Sequence, residues 1–410
     1  MVFKTGDIKV VVTTPSWSLN GPNVFAANLV SGLLTMGIAS QIVLTRPDWS
    51  DAKPLPVPPN VPIVELPIPR FASLRVRWRT LIRYLEELAP CIYIPNYDFI
   101  HSSVSPRLSD RVPIVGIIHS DDPQHYEHVA RLGRYWNAIV AVSPAIAAQA
   151  ETLDTSFASR TTVIPYGVEV ADTLPERRQD SVLRIVYAGR LVQYQKRILD
   201  LPRIVRALVD RGVPVQLSIA GSGSDQRILM EACAALNVQQ QVSFLGTLSS
   251  SQMRELMTQN DAFILTSEFE GLPLSMLEAM GQGCIPVVSD IRSGIPDLIQ
   301  NGLNGYRVPV GDIQKFADCF SSLHRDVGLR REMVTRAYKT IVTGGYSVRD
   351  MLKSYVTLFE RVVEQSERGT YHRPLASILP SPSLPWPEYL PGSLQRIGHY
   401  GKRLFAEMKN

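Results

Sequence analysis

Glu270 and Glu278 stand eight positions apart, and the residues between them change character from turn to helix. The run before them, 261–266, is short and apolar, as a buried strand is. Gly271 and Pro273 mark a tight turn, and 274–280 reads as the first turns of a helix. A strand, a loop and a helix start leave backbone N–H groups unpaired, and together with the helix dipole they attract an anion such as a phosphate. Carboxylates repel a phosphate, so the pair reads as acceptors for hydroxyls. Glu270 lies at the strand's C-terminal end, and Glu278 about one turn into the helix. A sugar and a ribose joined through a diphosphate would supply those hydroxyls. The bland alternative is an ordinary α/β unit with two solvated glutamates.

Other residues fit the same ligand. Arg190 and Lys196 follow the apolar run 183–188 and could neutralise two phosphates, Arg as a bidentate fork and Lys as a mobile point charge. Two solvated surface charges would look the same. Gly221 and Gly223 close the run 215–220, but a dinucleotide fingerprint needs a third glycine, and no suitable acidic residue follows. Hydride chemistry is therefore disfavoured, and the glycines read as permitting close approach to a nucleoside. His119 ends the run 114–118, where a side chain faces a cleft. His101, His125 and His128 are weaker candidates on the acceptor side.

The stretch Ser267 to Met280 resembles the Glu-x7-Glu signature of glycosyltransferase family 4, retaining enzymes with the GT-B fold. Four further segments are similar to the family, so the resemblance covers residues 8–365. It implies that Glu278 holds the ribose hydroxyls and Glu270 contacts the transferred sugar, with Gly271, Leu272 and Leu274 beside them at the donor. Arg190 and Lys196 would hold the diphosphate, Phe244 and Leu245 would border the base, and His119 would lie near the transferred sugar. Gly21 falls where relatives carry a glycine-rich loop facing the donor phosphates, but Pro22 replaces its partner and has no N–H to offer. Leu272-Pro273 also replaces the usual Phe-Gly.

The resemblance implies a glycosyltransferase, with a hexose the expected sugar, moving it from a nucleotide-diphosphate donor to a glycan or lipid-linked acceptor. Cell-surface polysaccharide or glycolipid synthesis is the expected setting, with no metal and no other cofactor. A nucleotide-sugar epimerase of the same fold and a catalytically silent nucleotide-sugar-binding protein stay open as alternatives.

The elements that must position these groups alternate. Apolar runs at 8–14, 41–45, 63–66, 91–94, 114–118, 138–142 and 162–165 read as strands, with helical patterns between several of them. A second series runs through 183–188, 215–220, 242–245, 262–265, 285–288 and 305–308. The expected fold class is α/β: two facing Rossmann-like, doubly wound domains with a cleft between them, and ligands at strand C-termini. The expected divisions are an acceptor-side domain at 1–167, a linker at 168–184 and a donor domain at 185–345. A helix at 346–365 would cross back to the first domain, followed by a proline-rich tail at 366–410.

The 410 residues carry a net charge of only +4, too small to argue for nucleic acid. Cys91, Cys233, Cys284 and Cys319 are isolated in apolar surroundings and read as reduced thiols. Without signal-peptide or membrane-spanning patterns, the expected location is cytoplasmic. Arg75, Arg79 and Arg83 share one face of an amphipathic helix. That stripe suits an anionic membrane surface on the inner face or a lipid-diphosphate acceptor, and equally a solvated face over a core helix. Leu394, Ile397, Leu404 and Met408, with Arg396, Lys402 and Arg403, make a similar amphipathic pattern in the tail.

Overall fold

A computed structural model describes residues 9–18, 20–46, 55–69, 72–96, 98–175, 181–374 and 376–378. In the first half the apolar runs form β1 (Lys9–Thr14), β2 (Ala39–Leu44), β3 (Ile63–Glu65), β4 (Ile92–Ile94), β5 (Val115–Ile118), β6 (Ala138–Ala141) and β7 (Thr161–Val163). All pairings are parallel. The order β3-β2-β1-β4 continues into β5-β6-β7 through a bridge between Tyr93 and Ile114. Parallel strands need crossovers, and these strands are mostly buried between helices. The helices are α1 (Gly21–Thr35), α2 (Leu74–Leu88), α3 (Pro123–Leu132) and α4 (Pro144–Glu151).

The second half repeats the plan with β8 (Leu183–Ala188), β9 (Val215–Ala220), β10 (Val242–Gly246), β11 (Ala262–Leu265), β12 (Ile285–Ser289) and β13 (Tyr306–Val308). Their order is β10-β9-β8-β11-β12-β13, so the chain reverses direction across the sheet between β8 and β11. The crevice at such a reversal is where doubly wound sheets take ligands. Its helices are α5 (Gln193–Lys196), α6 (Asp200–Asp210), α7 (Gln226–Ala235), α8 (Ser250–Thr258), α9 (Leu274–Gly281), α10 (Ile295–Leu298), α11 (Ile313–Arg325), α12 (Val327–Thr343) and α13 (Val348–Glu367).

The two passages between the halves run side by side. Val168 N–H donates to the Tyr346 carbonyl at 2.9 Å, and Val348 N–H donates to the Val168 carbonyl at 3.2 Å. Helix α13 then packs on α1, where Tyr355 meets Phe25 with ring centroids 5.6 Å apart. The packing is close enough that a Cβ on Gly32 would stand 2.3 Å from the Leu352 side chain. One buried cluster accordingly runs through the first half into α9, α12 and α13, while a second fills the far side of the second sheet.

Several expectations change here. Helix α1 begins at Gly21, with Asn20 as its cap accepting from Asn23 N–H at 2.9 Å. Gly21 therefore lies in a helical first turn, not in a glycine-rich loop, and a Cβ there would meet nothing within 4 Å. The last helix reaches Glu367, past the expected end at 365, and the segment after it docks on the first half. Arg373 is only 7% exposed, and its guanidinium donates to the carbonyls of Leu108, Ser109, Val112 and Tyr135. The amphipathic pattern at Leu394 to Met408 lies outside the described residues. All four cysteines are free and buried. Arg75, Arg79 and Arg83 are exposed on α2, whose Leu74, Trp78, Leu81 and Leu85 are buried.

Candidate active site

The donor-side groups gather at the reversal point. The loop after β8 carries Arg190 and leads through α5 to Lys196, and the loop after β11 carries Ser267 to Gly271 into α9. Lys196 Nζ pairs with Glu270 Oε1, and Ser267 Oγ donates to the same oxygen at 2.6 Å. Both charged side chains are largely shielded, at 12% and 10% exposure. Thr266 Oγ1 donates to the Lys196 carbonyl at 2.8 Å, fastening the two loops together. Arg190 is exposed, and its guanidinium donates to Gln195 Oε1 at 2.6 Å.

Glu278 follows one turn into α9, half-buried. Burial pushes its carboxyl up to about 7, with Glu169 adding and Arg254 opposing. Its charged neighbours are Arg254 and Glu169. The structure places the two motif glutamates in separate electrostatic settings: one against a cation, one desolvated.

The first half supplies His119 at the end of β5, 5% exposed. Its Nδ1 lies 2.7 Å from the Tyr166 hydroxyl, with the rings stacked at 5.9 Å. Nε2 is buried and has no hydrogen-bond partner among the described residues. Burial first, and nearby His125 second, hold its pKa well below 6.5, so the imidazole is neutral at ordinary pH. Tyr166 also stays protonated, since burial raises its pKa.

The halves meet at these residues. Ser120 bridges Gly271 in antiparallel fashion, and Asp121 N–H donates to the Glu270 carbonyl at 3.3 Å. A Cβ on Gly271 would fall 2.1 Å from the His119 carbonyl oxygen, so only glycine permits this approach. Arg292, after β12, grips Asp121 at 2.9 and 3.0 Å and Gln149 of α4 at 2.9 Å. The structure therefore brings the Glu270–Gly271 backbone of one half to the His119–Asp121 backbone of the other, with Lys196 paired to the Glu270 side chain.

Other expected positions are placed differently. The chain's own backbone accounts for Gly221 and Gly223: a Cβ at either would strike Gly189 O at 1.9 Å or Leu191 O at 2.3 Å. Close approach is real at these glycines, and the neighbouring strand-end loop is one group that requires it. Leu272 is 4% exposed and packs towards Gly294, while Leu274 starts α9 half-buried. Phe244 is half-buried and Leu245 is 40% exposed at the end of β10, the edge strand beside β9. His101 is held by Asp98 at 2.9 Å, and His128 lies 3.2 Å from Ser102 Oγ. His125 packs edge-on to Phe99 at 4.8 Å. These three are buried members of the first half's interior. Ser267, Tyr166, Asp121, Gln195 and Arg292 were not visible as site residues in the sequence. Only Ser267, three residues before Glu270, had a position that could have pointed to it.

Residues 19–172 match the family model Glycosyltransferase Family 4, and residues 175–340 match the model Glycosyl transferases group 1. The chain belongs to glycosyltransferase family 4. As a family 4 chain of GT-B fold, it divides between the two models in the segment that joins β7 to β8. It is 30% identical over 174 residues to N-acetyl-alpha-D-glucosaminyl L-malate synthase of Bacillus anthracis, covering 42% of this chain and 44% of that relative. It is 36% identical over 145 residues to lipopolysaccharide 1,6-galactosyltransferase of Salmonella typhimurium, covering 35% of this chain and 39% of the relative. The matched stretches thus span less than half of these curated relatives. The pneumococcal O-GlcNAc transferase GtfA, solved with UDP and GlcNAc, superposes with a TM-score of 0.70 at 12% identity, over 87% of this chain and 99% of that one.

Proposed function

We propose that this family 4 protein is a retaining glycosyltransferase, moving a hexose from a nucleotide-diphosphate sugar to a glycan or lipid-linked acceptor. Cell-surface polysaccharide or glycolipid synthesis is the setting this reading favours, in keeping with the lipopolysaccharide galactosyltransferase among its relatives. The observation that carries the proposal is the Lys196–Glu270 pair, tied through Gln195 to Arg190, on a loop whose Gly271 meets the backbone of His119 from the other half.

In this reading the donor binds the second half, with Glu278 accepting from the ribose hydroxyls. When the bond from the sugar's anomeric carbon to the diphosphate breaks, negative charge grows on the leaving oxygens. Arg190 and Lys196 then gain most, because preorganised cations act most strongly where charge develops. Lys196 must exchange part of its bond to Glu270 for the diphosphate, which frees that carboxylate to orient the sugar hydroxyls. His119, neutral, offers a hydrogen bond without adding charge. Attack comes from the face the diphosphate leaves, and Glu270 is not cast as a nucleophile. The basic groups and the start of α9 take the place of a metal ion, and no other cofactor is called for.

The exposed Arg75, Arg79 and Arg83 stripe supports a peripheral position on an anionic membrane surface, on the cytoplasmic inner face. Among the described residues no helix is long and apolar enough to cross a membrane. Flotation with liposomes, with and without anionic lipid, tests this reading, and equal recovery in both removes it.

A thermal-shift screen of UDP-, GDP- and ADP-sugars identifies the donor, with UDP-sugars first because of the UDP-bound neighbour. Turnover is then compared for Glu270→Ala, Lys196→Ala and His119→Ala, each expected to lose about 100-fold or more. Unchanged rates in all three contradict the proposal. Sugar product formed without any acceptor identifies an epimerase, and donor binding without transfer or hydrolysis a silent binding protein.

A further inference from the structure

Arg190 and Lys196 both have partners within the chain, and the two partners differ in kind. Lys196 faces a carboxylate, Glu270. Arg190 faces a neutral amide, Gln195. That amide is itself fixed at both ends of the residue. Gln195 Nε2 donates to the Phe269 carbonyl at 3.2 Å, and the Gln195 carbonyl accepts from Glu268 N–H at 2.8 Å. Gln195 thus ties the exposed Arg190 to the loop that ends in Glu270.

An exposed arginine explores many rotamers, and ordering it costs side-chain entropy. A carbonyl oxygen can order a guanidinium without cancelling its charge. A carboxylate in the same place would order it and neutralise it together. Of the acidic residues on this loop, Glu268 pairs with Arg197 at 3.0 Å and Glu270 with Lys196, so each already has a cation of its own. We propose that Gln195 is a positioning residue: it holds the Arg190 guanidinium beside the Glu270 loop, fully charged, for the diphosphate of the donor. The proposal rests on the reading of Arg190 as a diphosphate ligand.

The test is a double-mutant cycle on the full chain, reading dissociation constants for UDP, GDP and ADP by calorimetry. Gln195→Ala is expected to weaken the preferred diphosphate about 5-fold, and the nearly isosteric Gln195→Glu about 50-fold, since it adds a like charge beside the phosphates. On an Arg190→Ala background the Gln195→Ala effect is expected to shrink below about 2-fold, because coupled residues are non-additive. The donor KM rises in Gln195→Ala while the acceptor KM stays constant, a split that simple loss of folded protein does not produce. Melting temperatures confirm that each variant is folded, and Gln195→Glu serves if Gln195→Ala is not. A Gln195→Ala effect of equal size in both backgrounds, or none in either, overturns the positioning role. Wild-type affinity for all three diphosphates in Arg190→Ala alone overturns the reading of Arg190, and the proposal falls with it.

Discussion

Glu278 and Glu270 are the same residue type eight positions apart, yet the fold asks different things of them. Glu270 is held by Lys196 and Ser267, so its charge is answered within the protein. Glu278 is desolvated, and its carboxyl is raised from an ordinary 4.5 to about 7. The unfolded chain releases that proton near the ordinary value and the folded chain does not, so folding loses stability as pH rises across this window. Glu278→Gln removes the penalty. Its melting temperature should exceed that of the wild type above pH 7, with the gap closing towards about pH 5. Nucleotide affinity that draws on the ionised carboxylate should strengthen in the wild type between about pH 6 and 8 and stay flat in Glu278→Gln. Calorimetry at each pH reads both effects, and parallel curves for the two proteins remove them.

At the scale of elements, the loops after β5 and β11 work as a pair. Gly271 meets the His119 carbonyl backbone to backbone, and no flexible side-chain end is present to yield. Gly271→Ala must therefore push the halves apart or distort the loop carrying Glu270. The expected outcome is a turnover loss of at least about 10-fold, since small misplacements of reacting groups are costly. Diphosphate affinity, which the proposed function assigns to the second half, should change less than about 3-fold. Steady-state kinetics and calorimetry on the same preparation separate the two, and normal turnover refutes the meeting of these loops in the working enzyme. Arg292 reinforces the same closure through Asp121 and Gln149, both on the first half.

At the scale of the whole molecule, the first half buries several histidines close to this meeting place. His119 and His128 are held well below 6.5 and His125 near 3, in each case chiefly by burial. His125 faces both His119 and Phe99, His128 also faces Phe99, and the charged groups around them are Asp98, Arg131 and His101. The unfolded chain takes up protons on these rings below about 6.5 while the folded chain does not. Stability therefore falls as pH drops below that point, by about 1.4 kcal/mol per pH unit for each histidine. Urea unfolding between about pH 7 and 5 should show this slope, and it should flatten by about one third in His125→Phe, which keeps a ring in the interior. A slope unchanged by the substitution would place the proton uptake elsewhere.

The strand and helix alternation was legible because it is written in local pattern: short apolar runs, caps and turn residues repeat at the spacing a parallel sheet needs. The shared neighbourhood of Arg190, Lys196 and Glu270 followed from the resemblance, while the adjacency of β8 and β11 that produces it came from the structure. Side-chain partners were not legible. Lys196 and Glu270 are 74 residues apart, and His119 and Tyr166 are 47 apart, so no periodicity links them. Gly221 and Gly223 read as making room for a ligand, and the structure adds a second demand, since a Cβ at either would strike Gly189 or Leu191 on the adjacent loop. Sequence patterning fixes which face of an element is buried, because hydrophobic burial is non-directional and repeats along the chain. Which two polar groups then meet depends on crossovers and domain closure, and only the tertiary structure decides that.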